Sequence, residues 1–336
     1  MMLRHLLHSA AITGVLLAAA SFARADEPVV LKFAYPGPLQ SWPAMKGFTP
    51  WAEKIKAASG DTVEIKLYAA IANYRNVYDR ILNGVADFGF GTFGSLGDQF
   101  PKSSVTALPL LADNSLETGL AQWRMYASGV IADEYGRVKP ISMFGFGNSG
   151  FHTVKPITKL EELRGMKILV GGRTVARTVG LIGAVPITST PAEIYEGLNR
   201  GLGSGAVTTF SGLEQFKLAE LVKGHLDFPF GRTGGYFFMN KDSFARLPAK
   251  AQQAIDRYSG EELTTIMSKE ADRQDDADRD KVMANPGQVH RSLSAEDLKT
   301  LTKLLAPMTE EWLAATPDGA KVLAAYQAEI KRIRKP

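Results

Sequence analysis

Val29-Val30-Leu31-Lys32-Phe33-Ala34-Tyr35 is rich in strand-forming residues, and Pro36-Gly37-Pro38 closes it. Outward from it, Ala44 to Ala58 reads as a helix. Phe48, Trp51, Ile55 and Ala58 recur there at spacings of three and four on one face, and Ser59-Gly60 ends the run. Thr62-Val63-Glu64-Ile65-Lys66-Leu67-Tyr68 alternates apolar with polar residues, as a second strand does. Tyr74 to Asn83 reads as a helix stopped by Gly84, and Ala86-Asp87-Phe88-Gly89-Phe90-Gly91 as a buried third strand. The succession β-α-β-α-β with short connections is the pattern of a parallel sheet, so the fold class is α/β.

The alternation resumes further on. Strands are predicted at Pro140 to Phe144, Lys167 to Val170, Val185 to Ile187, Ala206 to Phe210 and Tyr236 to Asn240, with a helix over Pro191 to Arg200. Pro248 opens a long helical tract that is predicted to run to about Ala284. Ala251, Ala254, Ile255, Tyr258, Leu263, Ile266 and Met267 form its apolar stripe, and the charged run Arg273 to Lys281 is expected in solvent. Ser294-Ala295-Glu296-Asp297 is a good start for the closing helices. At 336 residues the chain is long enough for two domains of about 150 residues each.

Residues 1–25 read as a secretion leader. Arg4 supplies the basic start, Ala10 to Ala20 an apolar run too short to anchor in a bilayer, and Ala23-Arg24-Ala25 a cleavage box before Asp26. The chain contains no cysteine, which excludes disulfides, thiolate metal sites, a cysteine nucleophile and a lipid anchor through that residue. The formal net charge of +4 is concentrated at the ends, with Lys331, Arg332, Arg334 and Lys335 in the last six residues. No basic stripe suited to nucleic acid is present, and the basic tail reads as a frayed, solvated helix end. Two α/β lobes behind a leader suggest a cleft that closes around a solute by hinge motion.

Few motifs carry chemistry. Gly89-Phe90-Gly91-Thr92-Phe93-Gly94 and Gly145-Phe146-Gly147-Asn148-Ser149-Gly150 match a dinucleotide fingerprint, but neither opens a helix on which a pyrophosphate could sit. They read instead as strand ends where backbone approaches a neighbour or a ligand, which makes Thr92, Ser95 and Ser149 candidates for contact. No serine stands in a nucleophile elbow, and His152, His225 and His290 have neither metal nor triad spacing. His152, just beyond a glycine-rich strand end, is a cleft candidate; His225 and His290 are assigned to the surface. Of the aromatic residues at strand ends, Phe90, Phe210 and Tyr236 are the candidates to line a cleft. No metal, cofactor or catalytic residue is expected.

The middle of the chain resembles the solute-binding proteins of TRAP transporters, the DctP-like family. The resemblance rests on Lys159-Leu160-Glu161-Glu162-Leu163-Arg164-Gly165-Met166-Lys167-Ile168, on Gly183-Ala184-Val185-Pro186, and on Pro191 to Gly201. Trp51 to Gly60, Gly84 to Phe88, Leu108-Pro109-Leu110-Leu111 and Asn240 to Ala254 match in order and spacing. It implies a two-lobed periplasmic binding protein with hinge strands and a long bridging C-terminal helix. Residues 26–148 would form mainly lobe 1 and 149–235 mainly lobe 2. Residues 236–336 would supply a strand returning to lobe 1, the bridging helix and the C-terminal helices. It also implies delivery of a small organic solute to a TRAP membrane permease, with no chemistry on the solute; the chain itself is expected to be a monomer.

The family's arginine that grips a substrate carboxylate is replaced, on this resemblance, by Leu169, expected to wall the cleft. Ser204-Gly205 stands for an Asp-Gly pair, Thr92 and Ser95 for an acid and an arginine, Ser149 for a second arginine, and Thr208 for an asparagine. Two solute classes follow: a carboxylate held by Arg173 or Arg177 from a new direction, or a neutral, aromatic or cationic solute held by hydroxyls and rings. A secreted enzyme using the same cleft, and a sensor that signals to a membrane kinase, are the rivals.

Overall fold

Alternating side chains fix the first strand of the computed structural model, which describes residues 27–232 and 234–335; the expected leader and its cleavage point before Asp26 lie outside them. In β1 (Val29–Ala34), Leu31 and Phe33 point inward while Val30 and Lys32 face solvent. A π-helical turn, Pro43–Phe48, leads into α1 (Thr49–Ser59), whose Trp51, Ala52 and Ile55 cover the strand. β2 (Val63–Tyr68) lies parallel to β1, and beyond α2 (Val77–Leu82) so does β3 (Phe88–Thr92) on the other side. α3 (Ser115–Ala127) then precedes β4 (Val138–Gly145), from which the chain crosses to a second sheet at β5 (Gly150–Thr153).

The second sheet is built from β6 (Lys167–Val170), α4 (Arg173–Leu181), β7 (Val185–Thr188), α5 (Ile194–Asn199), β8 (Gly205–Thr208), α6 (Phe210–Gln215) and β9 (Gly224–Asp227). The chain returns to the first sheet at β10 (Gly234–Asn240) and continues through α7 (Lys241–Ala245), α8 (Ala249–Arg257) and α9 (Glu261–Met283). β11 (Val289–Arg291), α10 (Ala295–Ala315) and α11 (Gly319–Ile333) complete it. The strand orders are β2-β1-β3-β10-β4 and β11-β9-β5-β8-β6-β7. The sheets are mixed rather than purely parallel, because β5 and β10, the strands that follow the first two crossings, run antiparallel to their neighbours.

Both faces of each sheet are covered. Phe33, Phe88, Phe90 and Phe237 belong to one core of the first sheet, and Ala34, Met143, Tyr236 and Phe238 to the core on its other face. In the second sheet Ile168, Val170 and Val207 face one way, and Leu169 and Ala206 the other. α9 bridges the lobes: Leu263, Met267 and Ala271 lie in the first lobe's core, and Val282 in the second's. α10 packs on the second lobe through Leu301, Leu305 and Met308, whereas α11 packs on the first through Val322, Tyr326 and Ile330.

Three expectations are corrected here. The long tract from Pro248 breaks between α8 and α9 at Gly260 (φ 78°), whose N–H donates to the Ile141 carbonyl at 2.8 Å while its Cα faces the Trp123 indole. The charged run within α9 is not wholly solvated, because Asp275 is buried and accepts a 2.8 Å bond from the Ser211 N–H. The basic C-terminus is docked rather than frayed: Arg334 grips Glu117 of α3 at 2.8–2.9 Å.

Leu169 is a fourth correction. Strand alternation turns it away from the cleft into the core of Ile194, Leu198, Ala206 and Phe210, with Gly197 and Gly203 against its branched end. An arginine there would bury an unpaired guanidinium among apolar groups. We predict that Leu169→Arg lowers unfolding free energy by about 3–5 kcal/mol, read from urea denaturation, instead of creating a carboxylate site. An unchanged denaturation midpoint would show that this side chain can reach solvent or the cleft.

Candidate functional site

The parallel strands of both sheets end on a shared cleft of about 460 Å³. Thr92 ends β3, Gly171 and Gly172 follow β6, Thr188 ends β7 and Thr208 ends β8, and all five line it. Ligands of open α/β sheets bind outside the C-terminal strand ends, where backbone N–H groups of the following helices are available. The first crossing between the sheets contributes Phe146 and Ser149. Trp42, Tyr74, Phe90, Phe146 and Phe216 make one side aromatic, with ring centroids 6.1 Å apart for Phe90 and Phe146 and 6.4 Å for Trp42 and Phe146.

Six of the nine residues singled out from the sequence stand on this cleft: Phe90, Thr92, Ser95, Ser149, Arg173 and Thr208. Their polar groups are not equally free. Ser95 donates to the Thr92 carbonyl at 2.7 Å, and Arg173 pairs with Asp98 at 2.8 Å. Among the described residues, the hydroxyls of Thr92, Ser149 and Thr208 make no hydrogen bond to protein and are open to a solute. Arg177 turns from the cleft to Glu311 of α10 at 2.9 Å.

Phe210 and Tyr236 join Leu169 off the cleft. The expected strand through Phe210 stops at Thr208, because the Thr209 hydroxyl accepts from the Gly212 N–H at 2.9 Å and caps α6. Phe210 therefore opens that helix and packs on His152 and His225, with centroids 5.0 and 5.4 Å away. Tyr236 is fully buried on the far face of β10, stacked on Phe238 at 4.6 Å. Trp42, Tyr74 and Gln215 were missed. Trp42-Pro43 follows the turn after β1 and could have been flagged by position, whereas nothing in the sequence marks Gln215.

Two ion pairs span the cleft between loops of the two lobes. Arg75, beside α2, holds Glu193, ahead of α5, at 2.7 Å, and Arg173 of α4 holds Asp98, beyond β3. The Thr190 N–H and Arg75 keep the Glu193 carboxyl below its ordinary range. At Gly172 the backbone has φ 89°, and a Cβ would lie 3.1 Å from the Gly94 Cα, so the lobes meet backbone to backbone. Gly172 also offers α4 no side-chain cap, and Arg173 and Val175 of that helix's first turn line the cleft. Among the described residues no group of three His, Asp or Glu could hold a metal, and no helix is long and apolar enough to cross a membrane.

His152 lies behind the cleft wall, and His225, expected at the surface, is buried against it. The Thr208 carbonyl can only accept, so the His152 Nε2–H donates to it at 3.1 Å and the His152 Nδ1 accepts from the His225 Nδ1–H at 2.8 Å. The His225 Nε2 meets the Gln288 carboxamide at 2.9 Å. Burial, and then the neighbouring His225, push His152 down to about 3; burial also lowers His225. His290 stands at the surface, 3.0 Å from Asp227.

With this geometry in hand, comparison with known proteins is informative. Residues 39–315 match the family model of the bacterial extracellular solute-binding protein, family 7 (DctP). The chain is 26% identical over 296 residues to the outer membrane transporter protein TsaT of Comamonas testosteroni, covering 83% of this chain and 85% of that one. Its fold superposes with TM-score 0.87, at 24% identity, on a marine metagenome TRAP solute-binding protein specific for aromatic acids, in complex with 3-hydroxybenzoate. That match covers 92% of this chain and 99% of the other. A TRAP periplasmic solute-binding protein of Bordetella bronchiseptica with bound (R)- and (S)-mandelate gives TM-score 0.84 at 27% identity, covering 91% and 100%.

The buried histidines make stability depend on pH. Both are neutral when folded, while the unfolded chain takes up protons below about 6.5, so stability is lost as pH falls from 6.5 toward 3. Asp275, pushed up to about 6 by burial, acts in the opposite sense between about 6 and 3.8. We predict that His152→Asn removes up to about 1.4 kcal/mol per pH unit of the acid loss, measured by urea denaturation between pH 7 and 4. Equal slopes in the two proteins would refute a buried neutral pair.

Proposed function

The chain belongs to family 7 of the bacterial extracellular solute-binding proteins, and from that premise we propose that it is a periplasmic receptor for a small aromatic carboxylate. The observation that carries this reading is the cleft itself: rings on one side, free hydroxyls on the rim, and the uncapped N-terminus of α4. A benzoate-sized ring would lie against Trp42, Phe90 and Phe146 while its carboxylate meets the first N–H groups of α4. Arg173, one residue beyond Gly172, adds a cation there if it exchanges Asp98 for the ligand. The aromatic acids bound by the similar structures support the same class. Hydroxyl contacts from both lobes would shift the population toward the closed form that a TRAP permease recognises.

The leader would be removed before Asp26, delivering the chain to the periplasm. Cleft and hinge are complete within one chain, which supports a monomer. We take the lobe limits to follow the crossings, after residue 148 and before residue 236. A neutral aromatic solute is the second reading, favoured by one observation: both cleft arginines already hold carboxylates.

A thermal-shift screen of the chain from Asp26 separates the readings. Benzoate, phenylacetate or mandelate at 100-fold its Kd adds about 2.7 kcal/mol, a rise in Tm of roughly 5–10 °C. Arg173→Ala should weaken these acids several-fold. Stabilisation only by neutral or cationic aromatics would overturn the carboxylate, and a ligand recovered chemically altered would overturn a pure receptor.

A further inference from the structure

The polar groups of the cleft divide into those already used by the protein and those left over. Ser95 is bonded to Thr92, Thr209 and Ser211 to each other at 2.9 Å, and Arg75 and Arg173 to carboxylates. Tyr74 and Gln215 are different. The phenol of Tyr74, only 6% exposed, meets the carboxamide of Gln215, and among the described residues neither group has any other hydrogen-bond partner, so each keeps bonding capacity open to the cleft. Burial keeps the phenol protonated, so it offers a donor and an acceptor. The two come from opposite lobes: Tyr74 from the loop between β2 and α2, Gln215 from the end of α6. Their surroundings are the rings of Trp42, Phe90 and Phe216.

We propose that Tyr74 and Gln215 are the specificity-determining pair of this cleft, and that they read a hydroxyl on the ring of the solute. The inference rests on the aromatic-carboxylate reading and narrows it to hydroxylated aromatic acids. A ring hydroxyl both donates and accepts, so it can accept a hydrogen bond from the Tyr74 phenol and donate one to the Gln215 carbonyl. A hydrogen or methyl at that ring position forgoes both bonds and leaves the phenol and the carboxamide only each other, so a site that can bond a hydroxyl holds the deoxy analogue less tightly. Because the pair spans the lobes, the same hydroxyl also helps to hold the cleft closed.

Calorimetric titration of the mature chain with benzoate, 3-methylbenzoate and 3- and 4-hydroxybenzoate tests this. We expect one hydroxybenzoate to bind at least tenfold more tightly than benzoate and the methyl analogue. Tyr74→Phe and Gln215→Leu should each bring that ratio within threefold, and retention of the thermal midpoint shows that the variants are folded. Equal affinity of the wild type for benzoate and both hydroxybenzoates, or a full preference retained in both variants, overturns the pair as the reader and leaves the aromatic-acid reading standing. A wild type that binds none of the four acids overturns both.

Discussion

The cleft lies where the chain passes between its two sheets at β4–β5 and β9–β10, and both of these passages are tied by buried charge to α9, the helix that makes the third. Arg232, on the passage between β9 and β10, donates to the Phe146 carbonyl on the passage between β4 and β5 at 3.4 Å, and to the Asp113 carbonyl. Asp272 of α9 lies 3.8 Å from the same guanidinium and accepts the Ser115 N–H at 3.0 Å. Asp275, one turn further along α9, takes the Ser211 N–H at the head of α6. A buried arginine is costly unless acids and carbonyls surround it. Here those partners come from α9 and from the loop ahead of α3, so the arrangement that neutralises the charge also fixes where the two lobes pivot.

The opposite side of the cleft is held by far weaker forces. Arg75–Glu193 and Arg173–Asp98 are exposed at both partners, and exposed pairs contribute about 0–1 kcal/mol each. The Gly94–Gly172 approach brings backbone against backbone with no side chain to interlock. A strong hinge and a weak mouth make closure a small free-energy difference, one that a solute touching both lobes can tip. That asymmetry suits a receptor, which must close on its ligand and also release it.

Much of the first sheet and part of the cleft could be read before any coordinates. β1, β2 and β6 are legible because one face of each alternates or because turn residues bound them sharply. Of the six cleft residues found from sequence, all but Phe90, midway along β3, lie at or near strand ends, where an α/β fold gathers ligand contacts. Facing was the illegible part. Strands covered on both sides show no polar face, so nothing in Lys167 to Val170 or Tyr236 to Asn240 says which side chain meets which core; Leu169 and Tyr236 were misplaced for that reason. The break at Gly260 and the burial of His225 depend on partners far away in the chain, Ile141 and His152, and leave no local mark.

Position 169 faces a core of the second lobe and not the cleft, so a carboxylate in the cleft has to be held from elsewhere. An arginine fork contributes a full charge and two directed bonds, whereas a helix N-terminus contributes about half a charge and its free N–H groups. At α4 that half-charge comes with Gly172 at φ 89°, a conformation that lets the backbone close on Gly94 and on whatever lies beside it. A weaker anion hold shifts the burden of affinity onto the rest of the solute. An aliphatic acid of few carbons has little to offer, while a ring set against Trp42, Phe90 and Phe146 buries a large apolar area for little conformational entropy. On the proposed reading, then, affinity would rest on the ring of the solute more than on its charge.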